Sequence, residues 1–210
     1  MNKICYIVGA GEDCGLDFVP QAEDLVIAAD GGYRTLKDAG ISPQVVIGDF
    51  DSLGAAPQGE QVILLPTVKD VTDTWAAIEY AIGQEYEIFY LYGCTGGRVE
   101  HTLANIQTAA ALACQRKQCL IFSKTQVITA ISSETVCFSK HCTGFLSVFA
   151  HTDTCEGVTL EGLKYELKEA TLTNGFPLGV SNEFIGKEAT ITIGSGTAVL
   201  VYDRKNLAVH

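Results

Sequence analysis

Val45-Val46-Ile47-Gly48-Asp49-Phe50-Asp51-Ser52 is the stretch on which the reading of the fold turns. Three β-branched residues in a row, with no charge among them, read as a strand buried on both faces. Glycine and aspartate then end it. Asp49 and Asp51 stand one residue apart, and in extended chain such side chains point the same way. Their Cα atoms lie about 6.6 Å apart at the usual strand rise, so both carboxylates can reach one divalent cation or its waters. Magnesium takes oxygen ligands in this manner, held by one or two carboxylates while it keeps several waters and substrate phosphates. Ligands of α/β sheets also gather at the carboxyl ends of the strands. A solvated acidic loop has the same letters, so the neighbouring segments decide between the two.

On the N-terminal side, Lys3 to Val8 reads as a first buried strand and Leu25 to Ala29 as a second. The second ends in Asp30-Gly31-Gly32, followed by a short helix, Tyr33 to Ala39, stopped by Gly40. Asp30 therefore shares the strand-to-helix position of Asp49 and Asp51, and an N-cap is its plain alternative role. After the first strand, Gly9-Ala10-Gly11 and Gly15 resemble a dinucleotide fingerprint with one residue too many and no clear helix behind it. A glycine loop approaching a phosphate or a neighbouring strand fits equally well.

On the C-terminal side, Gln61 to Leu65 reads as a further strand. Val71, Trp75, Ile78 and Ile82 then recur at helical spacing up to Gly83, with Asp70 as N-cap and Asp73 in the first turn. That turn should share the sheet edge of the other aspartates. Glu87 to Tyr92 is another strand, and it leads into Gly93-Cys94-Thr95-Gly96-Gly97-Arg98. Small residues at a strand-to-helix turn let backbone N–H groups face an anion, and Arg98 can fork onto phosphate oxygens. The helix that follows carries Val99, Leu103, Ile106, Ala110 and Ala113 on one face, with His101 and Asn105 roughly on the side of Arg98. Gln118 to Phe122 closes an α/β part.

From about Thr125 the pattern changes to short β-rich runs: Gln126–Ile131, Glu134–Phe138, Phe145–Ala150, Val158–Leu163, Glu188–Ile193 and Ala198–Tyr202. Regular short strands without helices indicate a sandwich or barrel. Two domains are expected, 1–124 and 125–210, with no Pro/Gly linker between them.

The 210 residues carry 14 basic and 25 acidic side chains, a net charge of −11. This excludes a general nucleic-acid or anionic-membrane surface, but not a phosphorylated substrate whose charge a metal ion offsets. The eight cysteines form no CxxC pair and match no zinc spacing, so reduced structural thiols are expected. With no signal-like or membrane-spanning stretch, a cytoplasmic location is the expectation.

Four motifs in order, AADGG at 28–32, GDFDS at 48–52, KDVTD at 69–73 and TGGRVEHTLANI at 95–106, resemble those of the thiamine pyrophosphokinase family. GLKYEL at 162–167 and SNEF at 181–184 resemble that family's substrate-binding half. The resemblance implies an N-terminal Rossmann-like, mostly parallel sheet flanked by helices, a C-terminal all-β sandwich, and a homodimer. It implies Mg2+-dependent transfer of the pyrophosphoryl group of ATP to the hydroxyl of thiamine, with AMP leaving. By motif position Asp49, Asp51 and Asp73 are metal and catalytic carboxylates, with Arg98 beside them. Asp30, Gly31, Gly32, Lys69, Asp70, Thr95, Gly96 and Gly97 fall to ATP. Glu100, His101, Asn105, Tyr165, Ser181 and Asn182 fall to thiamine, with Tyr165 stacking on its ring. The family pattern has Asp where this chain has Glu100, which carries the carboxylate about 1.5 Å further out. Two rival readings share the sequence. One is a dinucleotide-dependent oxidoreductase built on Gly9-x-Gly11, and the other a non-catalytic protein that senses thiamine or a nucleotide.

Overall fold

The structure, a computed structural model, describes residues 3–49, 61–66 and 70–206. Asp51 and Lys69 lie outside the described residues. The fold is mixed α/β, with a large sheet and a second, antiparallel sheet. Two compact units divide the chain: Met1–Thr108 with Cys119–Lys124, and Ala109–Gln118 with Thr125–His210.

The first unit holds β1 (Ile4–Val8), β2 (Leu25–Ala29), α1 (Gly32–Asp38), β3 (Val45–Gly48), β4 (Gln61–Leu64), α2 (Asp73–Gly83) and β5 (Ile88–Tyr92). Helix α3 (Val99–Cys114) begins in it, and β6 (Gln118–Phe122) ends it. Its strands run in the order β6-β5-β1-β2-β3-β4. The pairs β1–β5, β1–β2, β2–β3 and β3–β4 are parallel, and their registers align Val8 with Tyr92 and Ala28, Ala29 with Ile47, and Gly48 with Leu64. The carboxyl ends of five strands therefore share one edge. The apolar runs are buried as expected of parallel strands, with Ile7, Ile27 and Ile47 at 1% exposure or less.

Helices α1 and α2 pack on β1 and β2. Gly40 ends α1 in a left-handed conformation: its N–H reaches Lys37 O at 3.0 Å and Ile41 N–H reaches Leu36 O at 2.9 Å, the two bonds of a Schellman cap. Helix α2 ends at Gly83 as read from the sequence but departs from that reading at its N-terminus. Its N-cap is Thr72, whose hydroxyl accepts from Trp75 N at 3.1 Å, and Asp70 stays outside, exposed. The left-handed residue past its C-terminus is Glu85, while Gly83 remains inside the last turn. Its buried side chains are Ala77, Ile78 and Ala81, and Val71 is exposed.

Helix α3 keeps the expected face only in its second half. Val99 and Leu103 are exposed and Ile106 is half-buried, while Ala110 and Ala113 are buried as expected, with Asn105, Thr108, Ala109 and Leu112 buried beside them. In the first half a buried amide, Asn105, takes the place of the branched Val99 and Leu103 that a simple apolar stripe would select.

The second unit has β7 (Gln126–Ser132), β8 (Thr135–Phe138), β9 (Phe145–Ala150), β10 (Thr154–Glu161), β11 (Leu167–Thr173), β12 (Gly179–Glu183), β13 (Ala189–Thr192) and β14 (Thr197–Asp203). One antiparallel run is β12-β9-β14-β7 and the other β11-β10-β13-β8. Phe138 of β8 meets the Tyr202 ring of β14 edge-on at 5.0 Å. Strands β11 and β12 were not expected. Both are edge strands, and their polar letters (LKEATLT and GVSNE) carry little apolar signal.

Candidate active site

The aligned strand ends of the first unit bring together the loops that carry the motifs. Each loop is fitted to the next through backbone contact. Gly9 N–H reaches Tyr92 O at 2.8 Å, Gly11 N–H reaches Gly93 O at 2.7 Å, and Glu12 N–H reaches Thr95 O at 2.9 Å, so the β1 loop continues the pairing beyond the strands. A Cβ on Gly11 would lie 2.5 Å from Gly93 O and 2.7 Å from Thr95 O, which forbids any side chain there. These two glycines therefore serve close approach to the neighbouring turn rather than a dinucleotide fingerprint.

Asp30 follows β2 in a left-handed conformation, φ 47°, which aspartate tolerates better than most residues. Its N–H bonds Ile47 O at 2.8 Å, and the end of β3 passes so close that a Cβ on Gly48 would lie 3.1 Å from Asp30 Cα. The N-cap of α1 is Gly31, not Asp30, and Gly32 opens the helix against the carbonyl of Val8. Asp49 directly follows β3 and is half-buried. Asp73 opens α2, where its carboxylate suits the helix dipole. The first turn of α2 comes near the turn after β5, close enough that the Thr74 side chain counters the burial of the Cys94 thiol and lowers its pKa. Among the described residues no three His, Cys, Asp or Glu side chains gather as a ready metal cage. Asp51, the third carboxylate of the expected set, lies outside them.

The turn after β5 is held from three sides. Asn105, buried at 5% exposure, donates Nδ2 to Cys94 O at 2.8 Å. The Cys94 thiol donates to Tyr92 O at 3.3 Å, and burial pushes its pKa up to about 12, so it stays protonated. Gly96 and Gly97 are both left-handed, and Thr95 is buried. Arg98 is exposed and its Nε donates to Glu100 Oε1 at 2.7 Å. This hydrogen bond holds the Glu100 carboxyl below the usual range. His101 is exposed on the first turn of α3. Asn105 thus faces the turn's backbone rather than the solvent side where Arg98 and His101 stand.

In the second unit the predicted thiamine-side residues Tyr165, Ser181 and Asn182 form a second local arrangement. Asn182, 3% exposed, accepts from Tyr165 N at 2.9 Å and Glu183 N at 2.9 Å, and donates to Tyr165 O at 2.6 Å. The Tyr165 ring itself is 58% exposed, with Lys164 Nζ 5.4 Å from its centroid. Lys164 is tied to Glu183 at 2.7 Å. Ser181 is exposed at φ 58°, where β12 slips register against β9, and its N–H bonds Ser147 Oγ at 3.0 Å.

Sequence reasoning missed the supports: Glu12, Thr74 and Lys124, which pairs with Glu12 at 2.7 Å. The single available signal was the Gly9-x-Gly11 spacing, which marks a close approach without naming its partner.

Comparison with known proteins agrees with this arrangement. Residues 18–122 match the family "Thiamin pyrophosphokinase, catalytic domain" and residues 133–198 the family "Thiamin pyrophosphokinase, vitamin B1 binding domain". A thiamine pyrophosphokinase of Bacillus subtilis is 29% identical over 96% of this chain and 98% of its own. The crystal structure of thiamine pyrophosphokinase from Bacillus subtilis superposes with a TM-score of 0.83 at 27% identity, over 95% of this chain and 98% of that one. That of thiamin pyrophosphokinase from Geobacillus thermodenitrificans gives 0.82 at 27% identity, over 95% and 97%.

Proposed function

The chain belongs to the thiamine pyrophosphokinase family and its reaction is pyrophosphoryl transfer from ATP to thiamine, and we propose how its residues divide that work. The reading rests chiefly on one observation: the loops after β1, β2, β3 and β5 and the first turn of α2 meet at one sheet edge. We assign the N-terminal half a Rossmann-like nucleotide-binding role and the C-terminal half a β-sandwich role in holding thiamine. The active form is taken as a homodimer, which the exposed apolar Phe176, Leu178 and Val180 around edge strand β12 favour.

Asp49, Asp51 and Asp73 would hold Mg2+. Oxygen donors suit this ion, and the half-burial of Asp49 and Asp73 leaves room for the waters it retains. When bound, the ion neutralises phosphate charge that an acidic protein would otherwise repel. Asp30, Gly31, Gly32, Lys69, Asp70, Thr95, Gly96 and Gly97 line the nucleotide. Arg98 leaves Glu100 to fork onto phosphate oxygens, a better match for its planar donors. The hydroxyl oxygen of thiamine attacks the β-phosphorus of ATP, the bond from that phosphorus to the α,β-bridging oxygen breaks, and AMP departs. Asp51 or Asp73 accepts the hydroxyl proton. Tyr165 stacks on the cationic thiamine ring, and its exposed face on a clamped backbone suits that task. Glu100, His101 and Ser181 complete the thiamine side, while Asn105 and Asn182 act by fixing the turns.

The test is AMP release with ATP, Mg2+ and thiamine. Wild type should release AMP only when thiamine is present, and Asp51→Asn should lose about a hundredfold or more in turnover, the usual scale for a group that meets developing charge. AMP release that ignores thiamine, or full turnover by Asp51→Asn, would remove the assignment.

A further inference from the structure

Glu12 and Lys124 form an ion pair against the turn after β5, outside every motif that the family resemblance draws on. Glu12 N–H bonds Thr95 O at 2.9 Å, which fixes the residue beside the turn. Its side chain then runs across Gly96 so closely that a Cβ on Gly96 would lie 2.6 Å from Glu12 Cβ and 2.8 Å from Oε2. From the other side Lys124, just past β6, places Nζ 2.7 Å from Glu12 Oε1. A carboxylate and an ammonium thus stand in contact at the left-handed glycines where a phosphate turn would face its ligand.

The charges make this arrangement consequential. A bare glutamate at that place would repel a nucleotide tail that already approaches a protein of net charge −11. Lys124 offsets it, and a lysine ammonium is a compact, mobile point charge suited to phosphate. Arg98 shows the same pattern one step away, with its guanidinium on Glu100. Both pairs are solvent-exposed. Exchanging a screened carboxylate partner for a more highly charged phosphate therefore costs little.

We propose that Lys124 is a phosphate-contacting residue of the ATP site, and that Glu12 holds its ammonium beside the turn until the phosphates of the nucleotide take it over. This rests on the reading that ATP phosphates face the Gly93–Arg98 turn. Glu12 is then a competitor for Lys124 as well as its guide, so the two substitutions act in opposite directions on ATP alone.

The experiment is a double-mutant cycle in AMP release, with each substrate varied at saturation of the other. Lys124→Met should raise KM for ATP roughly three- to tenfold, the scale of one lost charge-assisted contact, and leave KM for thiamine within about twofold. Glu12→Gln should lower KM for ATP by about twofold, as a screened competing carboxylate is removed. Glu12→Gln combined with Lys124→Met should match Lys124→Met alone, because the gain runs through the ammonium. An unchanged KM for ATP in Lys124→Met overturns the proposal. So does a Glu12→Gln gain that persists without Lys124, since it would then reflect general charge. A wild type that releases no AMP fails the underlying reading instead, and that outcome is separate from either variant result.

Discussion

Two turns in this molecule present an exposed side chain from a fixed backbone, and each is fixed by a buried asparagine. Asn105 holds the turn that carries Arg98, and Asn182 holds the turn that carries Tyr165. They differ in how much depends on the amide. Asn182 makes three bonds, two of them reciprocal with Tyr165, so its side chain takes the place of a strand partner. Asn105 makes one, and the remaining support comes from Gly9, Gly11 and Glu12 pairing along Tyr92–Thr95. The lesson is that the nucleotide-side turn is secured chiefly by backbone packed on backbone, whereas the thiamine-side turn adds the three bonds of one polar side chain to a single backbone bond, Lys164 N–H to Glu183 O at 3.0 Å.

The strongest way to break that contrast is at Gly11. Adding a Cβ there drives it into the carbonyls of Gly93 and Thr95, and neither is a flexible side-chain end. Gly11→Ala should cost about 3 kcal/mol, as overpacking against an unyielding neighbour does, or roughly 6–12 °C in Tm for a chain of this size. Thermal unfolding measures it. A melting curve superimposable on wild type would mean that the loop has room to retreat and the backbone pairing is not what holds the turn.

Asn182→Ala and Asn105→Ala come next, and the contrast predicts that their effects cross. Losing Asn182 strands the Tyr165 and Glu183 N–H groups, about 2 kcal/mol by the usual penalty for unpaired buried donors. It should raise KM for thiamine several-fold more than KM for ATP. Losing Asn105 strands one carbonyl at about 1 kcal/mol and should raise KM for ATP instead. If Asn105→Ala moved KM for thiamine more, Asn105 would be a thiamine contact as the motif position first suggested, and not a brace for the turn.

These particular residues also show what was legible before any coordinates. The strand at 45–47 was readable because burial on both faces leaves only apolar β-branched residues, and the register of parallel neighbours then put Asp30, Asp49 and Gly93 on one edge. The motif residues were readable because their types are chemically constrained. Asn105 was singled out, yet its direction was not, since helical spacing gives a face only to within a turn and the N-terminal part of the expected stripe, Val99 and Leu103, turned outward while Ala110 and Ala113 stayed buried. Strands β11 and β12 escaped because their polar letters carry no apolar alternation to read. Glu85 and Arg116, left-handed past α2 and α3, escaped because nothing in either letter announces a positive φ. The Glu12–Lys124 pair spans 112 positions of the sequence, a separation that local patterns cannot bridge.

The finest test of the contrast uses Cys94 as a reporter buried beneath the nucleotide-side turn. Its thiol is enclosed by Tyr92 O, Thr74 and Gly9, and its raised pKa of about 12 leaves almost no thiolate at pH 8 while the turn is closed. Modification at that pH therefore runs through opening of the turn, whereas exposed Cys114 and Cys137 react at once. Removing the Asn105 bond should ease opening by about 1 kcal/mol and speed alkylation of Cys94 roughly fivefold, with Asn182→Ala leaving it unchanged. Buried Cys5 and Cys119, whose thiols are also pushed up by burial, serve as internal controls for general loosening of the same unit. The sign with pH separates the two routes. Reaction through opening levels off above the ordinary thiol range, because the released group titrates normally, while direct attack on the closed form keeps rising toward pH 12. A fivefold gain confined to Cys94 and levelling near the ordinary range would locate the weak point at the Asn105 brace; equal gains at Cys5 and Cys119 would show that the whole sheet, and not the turn, had been loosened.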